Sequence, residues 1–155
     1  MADVSIKQAT KIHSIKEHKQ SIKGTCLCGQ VTYEIRGNMG VFQYCHCSRC
    51  QKFTGSAHAS NLFVKPDDFS WLTGIDLVGR YSPPETKYFA TAFCKVCGSS
   101  LPWNSKGGNV VIVPAGTLDA DPDMRPQWNV FCDSKAPWYI NPDDIPQHQQ
   151  LPPRQ

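Results

Sequence analysis

Eight cysteines are the residues of this 155-residue sequence whose type and spacing could support chemistry. Seven of them fall into three short groups, at 26–28, 45–50 and 94–97, and Cys132 stands alone. The N-terminus lacks the apolar segment of a secretory signal, so we expect a cytoplasmic protein. Because cytosolic thiols are kept reduced, clustered cysteines in such a protein indicate metal or redox chemistry rather than a disulfide framework.

The first and last groups have the form of two half-sites for a four-thiolate zinc ion, each followed by a glycine. Gly29 and Gly98 permit the tight turns that direct backbone amides towards sulfur. Four thiolates close a tetrahedral shell, so we expect this site to be structural. A pair of redox-active dithiols, or a set of unrelated buried thiols, is the alternative. The four predicted ligands are Cys26, Cys28, Cys94 and Cys97.

The middle group, Cys45, Cys47 and Cys50, can supply three ligands. Three protein ligands are typical of catalytic zinc sites, which keep a fourth position for water or substrate. His46 lies between two of these cysteines in an extended segment, where alternation directs its side chain away from the metal, although ligation by His46 stays open. Cys132 belongs to an apolar run that predicts a strand and a buried thiol; completion of the second zinc shell by Cys132 is the alternative.

Positive charge is concentrated in two places. Arg49 and Lys52 flank the middle group, where they could lower thiol pKa values or receive a carboxylate, or else simply be solvated. Residues 1–23 carry five lysines and two acidic residues, which accounts for the whole net charge of +3. Nucleic-acid binding requires a basic patch on the folded body, so we expect no nucleic-acid partner and a flexible basic arm over residues 1–21.

Short alternating apolar segments separated by Gly, Pro, Asp and Asn predict a mainly β domain. Helical turns are expected at 49–53, capped by Ser48, and at 66–68, opened by Pro66. No apolar run approaches the roughly 20 residues of a membrane span. A proline-rich segment from Asn141 predicts a C-terminal tail, which we assign to 147–155. The predicted strands are 30–36, 41–45, 58–64, 77–81, 87–93, 110–113 and 128–131.

Four ordered motifs resemble those of the glutathione-dependent formaldehyde-activating enzyme family. They are the cysteine groups at 26–29, 45–52 with Gly55, and 94–99, and the late segment Ser-Lys-Ala-Pro-Trp-Tyr at 134–139. The resemblance implies one domain over 22–146, built of small twisted β-sheets around two zinc sites. It also implies a structural zinc on the first and last cysteine groups and a catalytic zinc on the middle group. The family often has histidine where this chain has Asn129, and residues 1–21 lie outside its pattern.

The resemblance also implies an activity: addition of the glutathione thiol to formaldehyde, and the reverse carbon–sulfur cleavage. Three thiolates make zinc a poor Lewis acid, so we expect it to present the substrate as a thiolate instead of polarising the aldehyde. Arg49, Lys52 and Arg80 are candidates to meet the glutathione carboxylates. The candidate pocket walls are Phe53, Trp103 and Trp138.

Two other interpretations of the sequence belong to different functional classes. A non-catalytic, zinc-stabilised binding module would give the basic arm a role in partner binding. The other interpretation is redox chemistry or metal storage by exposed thiols, which the metal content of the protein would distinguish from the two zinc sites predicted above. The motifs favour the enzyme, with a small-molecule thiol and an aldehyde as its substrates.

Overall fold

The computed structural model of the chain describes residues 21–153. This part holds one α-helix, α1, at Ser48–Thr54, and no helix in it is long and apolar enough to cross a membrane. The predicted arm lies outside the described residues, apart from Ser21. The strands are β1 Ser21–Thr25, β2 Thr32–Arg36, β3 Met39–Cys45, β4 Ala59–Val64, β5 Phe69–Thr73, β6 Val78–Tyr81, β7 Thr91–Cys94, β8 Ser100–Leu101, β9 Trp103–Asn104, β10 Val111–Pro114 and β11 Trp128–Val130.

The described strands form three small sheets, which confirms the mainly β prediction. The first sheet has the order β1-β2-β5, the second β11-β3-β4-β10-β9, and the third β6-β7-β8. Their pairs are antiparallel except for β11, which runs parallel to β3. The parallel pair brings a late segment of the chain beside Cys45, at the end of β3.

The main core lies between the first and second sheets. Val31, Tyr33 and Ile35 are fully buried, as the alternation in this segment predicts. Tyr33 and Ile35 pack in one cluster with Leu62 of β4 and Val113 of β10. A second, smaller core joins the first and third sheets and includes two of the predicted ligands; its members are Cys26, Val31, Ala92, Cys94 and Leu101.

Several predicted strands are shorter in the structure, two of them for identifiable reasons, and four short or edge strands were not predicted from the sequence. The strand expected at 87–93 begins only at Thr91, because the Lys106 ammonium donates to the carbonyls of Pro83 and Thr86 and holds this segment in a loop. The strand expected at 128–131 ends at 130, where the backbone turns into the left-handed region at Phe131, φ 58°. The unpredicted strands are β1, β5, β8 and β9.

The helix cap differs from the prediction by one residue. Cys47, not Ser48, is the N-cap of α1: its backbone is extended, and its sulfur accepts from the backbone N–H of Cys50 at 3.4 Å. Ser48 is the first residue of the helix. The cap therefore brings two sulfurs of the middle cysteine group together at the start of the helix, because Cys47 directly precedes the helix and Cys50 lies in its first turn.

Gly74 and Gly55 offer a matched pair of substitutions, since both have a left-handed backbone, with φ of 69° and 64°. At Gly74 a methyl group would overlap with the carbonyl oxygen of Gln30, whereas at Gly55 nothing lies within 4 Å. Gly55→Ala should cost about 1–2 kcal/mol from backbone strain alone. Gly74→Ala should cost about 1–3 kcal/mol more, from steric overlap. Denaturant unfolding measures both, and equal losses would contradict the prediction.

Candidate metal centres

The four cysteines predicted as a structural site lie together in the structure. Cys26 and Cys28 lie in the turn after β1, Cys94 ends β7, and Cys97 lies in the turn that follows. Their sulfurs all lie within 4.8 Å of one another, with Cys26 to Cys28 at 3.4 Å and Cys28 to Cys94 at 3.8 Å. Thiolates at about 2.3 Å from a tetrahedral zinc lie about 3.8 Å apart. The cluster therefore has the dimensions of a four-sulfur metal site.

The turns of this cluster supply hydrogen bonds that favour thiolates. Gly29 and Gly98 have φ of 79° and 76°, as a tight turn after each cysteine pair requires. The backbone N–H of Val31 donates to the Cys26 sulfur at 3.3 Å. The Ser99 hydroxyl, 3.2 Å from the Cys97 sulfur, and the Ser99 backbone N–H lower the pKa of Cys97 to about 5. Hydrogen bonds from the turns therefore favour the thiolate form, which binds metal, at Cys26 and Cys97. At Cys28 a backbone hydrogen bond is outweighed by desolvation and the neighbouring cysteine sulfurs, which raise its pKa to about 11.

The three cysteines of the middle group form a second cluster. Cys45 ends β3, Cys47 caps α1, and Cys50 lies in its first turn; all three are buried, and their sulfurs lie within 4.8 Å of one another. The Cys50 thiol, by hydrogen bonding, lowers the pKa of Cys45 to about 6 despite burial. The same pairing, followed by burial, raises the pKa of Cys50. The pairing thus favours the thiolate form at Cys45, and the cluster could bind a metal ion through three sulfurs.

This cluster lies on the face of the second sheet opposite the main core. Cys45 pairs with Ala59, and Asn61 is two residues further along the same strand, so these three side chains share one face. Phe89 and Val130 pack against the cluster. A cavity of about 30 Å³ borders Cys50 here; its wall includes Phe53, Thr54, Ala59, Asn61, Phe89 and Trp103.

His46 lies fully buried outside the three-sulfur group, as alternation along the chain predicts. Its Nε2 is 3.0 Å from Oδ1 of Asn129, and its backbone N–H donates to Val130 at 3.0 Å. Its ring contacts those of His58 and Tyr139 at 5.2 and 5.6 Å between centroids. Burial and then the charge of His46 lower the pKa of His58. His46 therefore positions the cysteine segment against β11, and Asn129 is its partner.

Of the residues predicted to bind glutathione or to form its pocket, some lie at the cavity beside Cys50 and others do not. Arg49 and Lys52 are both exposed on α1, and the Arg49 guanidinium stacks on the Phe89 ring at 5.5 Å from its centroid. Phe53 and Trp103, two of the three candidate pocket walls, line the cavity beside Cys50. Trp138 is 67% exposed and does not line it. Arg80 borders a separate cavity of about 410 Å³ and donates to the carbonyl of Asn104.

The prediction that Cys132 lies in a strand with its thiol buried is wrong. It lies exposed in a 3-10 turn at Cys132–Ser134, because the left-handed backbone of Phe131 has already ended β11. It is not among the three sulfurs of the middle cluster. Sequence analysis also missed Asn61 and Phe89, and the only signal for Asn61 is its place in a predicted strand that pairs with the one ending at Cys45.

The fold and the two clusters define a mainly β protein that could hold two metal ions on cysteine sulfurs. The family model described as glutathione-dependent formaldehyde-activating enzyme matches residues 21–134, and the chain belongs to this family. A crystal structure of a Rhodobacter sphaeroides protein is similar in fold, with a TM-score of 0.52 and 22% identity over 67% of this chain and 97% of that one. No curated protein matches the chain.

Proposed function

We propose that the protein is a zinc-dependent carbon–sulfur lyase that adds glutathione, or a related thiol, to formaldehyde and catalyses the reverse cleavage. The family is one of formaldehyde activation that depends on glutathione. The observation that carries the proposal is the cluster of Cys45, Cys47 and Cys50, which offers three buried sulfurs and borders a cavity. Three protein ligands leave zinc a fourth position for an exchangeable group.

Zinc is the metal that fits both clusters best, because sulfur-only donor sets of this size favour it among divalent ions. When bound at the three-cysteine cluster, zinc would lower the pKa of a thiol in its fourth position and so present a thiolate at neutral pH. In the four-cysteine cluster the protein fills all four coordination positions, so its zinc would be structural. We therefore assign seven of the eight cysteines to metal and leave Cys132 without a metal role.

The chain itself would orient the thiol substrate. Arg49 and Lys52 lie about one turn apart on α1, and the helix begins directly after Cys47. Both side chains are exposed. Glutathione carries two carboxylates, which guanidinium and ammonium groups bind through charge-assisted hydrogen bonds. Because Arg49 also stacks on Phe89, its charge lies beside the wall of the cavity at Cys50. We assign Arg49 and Lys52 to recognition of the glutathione carboxylates at the exposed side of the site.

The remaining sequence-based assignments stay predictions. They are a domain over 22–146 between a basic arm and a C-terminal tail, a cytoplasmic location, and the absence of a nucleic-acid partner.

Titration with glutathione, followed at the zinc X-ray absorption edge, tests this function. We expect a new sulfur ligand at one of two zinc ions per chain, together with faster exchange between formaldehyde and S-hydroxymethylglutathione by NMR. S-Methylglutathione is the matched control, since it keeps both carboxylates but has no thiol. An unchanged edge and an unchanged exchange rate with glutathione would rule out the proposed reaction for this thiol.

A further inference from the structure

The cavity beside Cys50 is too small for the thiol substrate. Its volume is about 30 Å³, two to three times the roughly 10–15 Å³ of such volume that a cavity needs in order to hold one water molecule. A tripeptide such as glutathione cannot enter a space of this size, whereas a molecule with two heavy atoms can. The thiol must therefore approach from the exposed side, past Arg49, and the cavity is left for the smaller reactant.

One amide group is directed into this region. Asn61 is 9% exposed and lies on β4, a strand hydrogen-bonded on both sides, so its position is fixed by the sheet. Its Nδ2 is 4.0 Å from the Cys50 sulfur. The nearby hydroxyl of Thr54 already donates to the carbonyl of Cys50 at 2.8 Å. Asn61 thus presents N–H donors beside the sulfur cluster, on a rigid element.

Phe89 lines the same cavity as this amide. Arg49 packs on its ring at 5.5 Å, and the Trp103 ring meets it at 5.6 Å between centroids and 61° between planes. An aromatic ring held on two sides cannot turn aside to admit a larger molecule without losing both contacts. Phe89 therefore sets the upper limit on what the cavity accepts.

We propose that this cavity receives the aldehyde, that Asn61 donates a hydrogen bond to the aldehyde oxygen, and that Phe89 restricts the aldehyde to one carbon. The inference rests on the proposed function. In the forward direction the thiolate sulfur forms a bond to the carbonyl carbon, and the π electron pair moves onto oxygen. The proton lost by the thiol ends on that oxygen, so the addition involves no oxidation or reduction. Asn61 contacts the atom on which negative charge develops, where a fixed donor stabilises the transition state most.

The test compares formaldehyde, acetaldehyde and propionaldehyde as partners of glutathione, with exchange rates measured by NMR. Phe89→Ala should raise the rate for acetaldehyde relative to formaldehyde by about 10-fold or more, because a methyl group misfitted in a pocket costs about 10–200-fold. Phe89→Leu should give a smaller change in the same direction. Asn61→Leu, which keeps the branched heavy-atom skeleton of the side chain but has no donor, should lower kcat for formaldehyde by about 100-fold with zinc content unchanged.

Phe63→Ala is the matched control, since Phe63 is half-buried on the same strand and lines a different cavity. It should leave aldehyde selectivity as in the wild type. If the wild type accelerates formaldehyde exchange but both Phe89 variants keep its selectivity, or Asn61→Leu keeps its rate, this inference is overturned and the proposed function stands. A wild type that accelerates no exchange overturns both.

Discussion

Replacement of Cys94 by serine is expected to leave the chain without a stable fold. Cys94 is 1% exposed and belongs both to the four-sulfur cluster and to the second core. A structural zinc site contributes on the order of 10 kcal/mol in apparent folding free energy. The net stability of a domain is only about 5–15 kcal/mol. Loss of one ligand therefore removes most or all of what holds this part of the molecule together.

The position of this cluster explains why its loss would affect the whole domain. It joins the turn after β1, in the first sheet, to the end of β7, in the third sheet. The second core between these two sheets has five buried members, and Cys26 and Cys94 are two of them. Serine at position 94 would also bury a hydroxyl in place of a sulfur, which adds a desolvation cost.

Far-UV and near-UV circular dichroism with thermal melting measures the outcome. Cys132→Ser is the matched control, because Cys132 is exposed and lies outside both clusters. The control should melt as the wild type does, with two zinc ions per chain. A Cys94→Ser protein with the melting temperature of the control would contradict a structural role for the four-cysteine cluster.

The sequence was most informative where function depends on residues close together in the chain. The spacing of Cys26 and Cys28, and of Cys94 and Cys97, predicted two half-sites, and the structure brings their sulfurs within 4.8 Å. Alternation also placed the side chain of His46 outside the sulfur group, because an extended segment directs neighbouring side chains to opposite sides. In each case the geometry is local, so residue type and spacing determine it.

Contacts made across the sheet could not be predicted in this way. Asn61 faces Cys50 only because β3 and β4 pair in a register that sets Ala59 opposite Cys45. Phe89 reaches the cluster from a loop, in a segment that its own propensity predicts as a strand. Register and loop packing depend on the whole core, and a shift of one residue would turn Asn61 to the other face. The metal ligands could therefore be predicted, whereas the walls of the cavity could not.

Cys47→Ser is expected to separate chemistry from folding at the three-cysteine cluster. Cys47 has two tasks: it is one of three sulfurs in the cluster, and it caps α1 by accepting from the backbone N–H of Cys50. Serine is among the preferred N-cap residues, so the substitution keeps the cap and removes only the thiolate. We expect the melting temperature to stay near that of the wild type while zinc falls from two ions per chain to one.

The effect of Cys47→Ser on activity should be large, because two sulfurs hold zinc poorly and the site would lose the metal on which the proposed chemistry depends. Exchange of formaldehyde with glutathione should fall by more than the roughly 10–100-fold that substitutions outside the ligand shell cost. Cys47→Ala is the comparison: it should lose the same activity and in addition about 1 kcal/mol of stability, from the missing cap. Zinc content, denaturant unfolding and NMR exchange on the same preparations measure the three quantities.

Retention of the second zinc, or of wild-type exchange, in Cys47→Ser would show that the middle cluster is not the site of the reaction. A loss of activity only in step with a loss of folded protein would assign Cys47 a structural role instead.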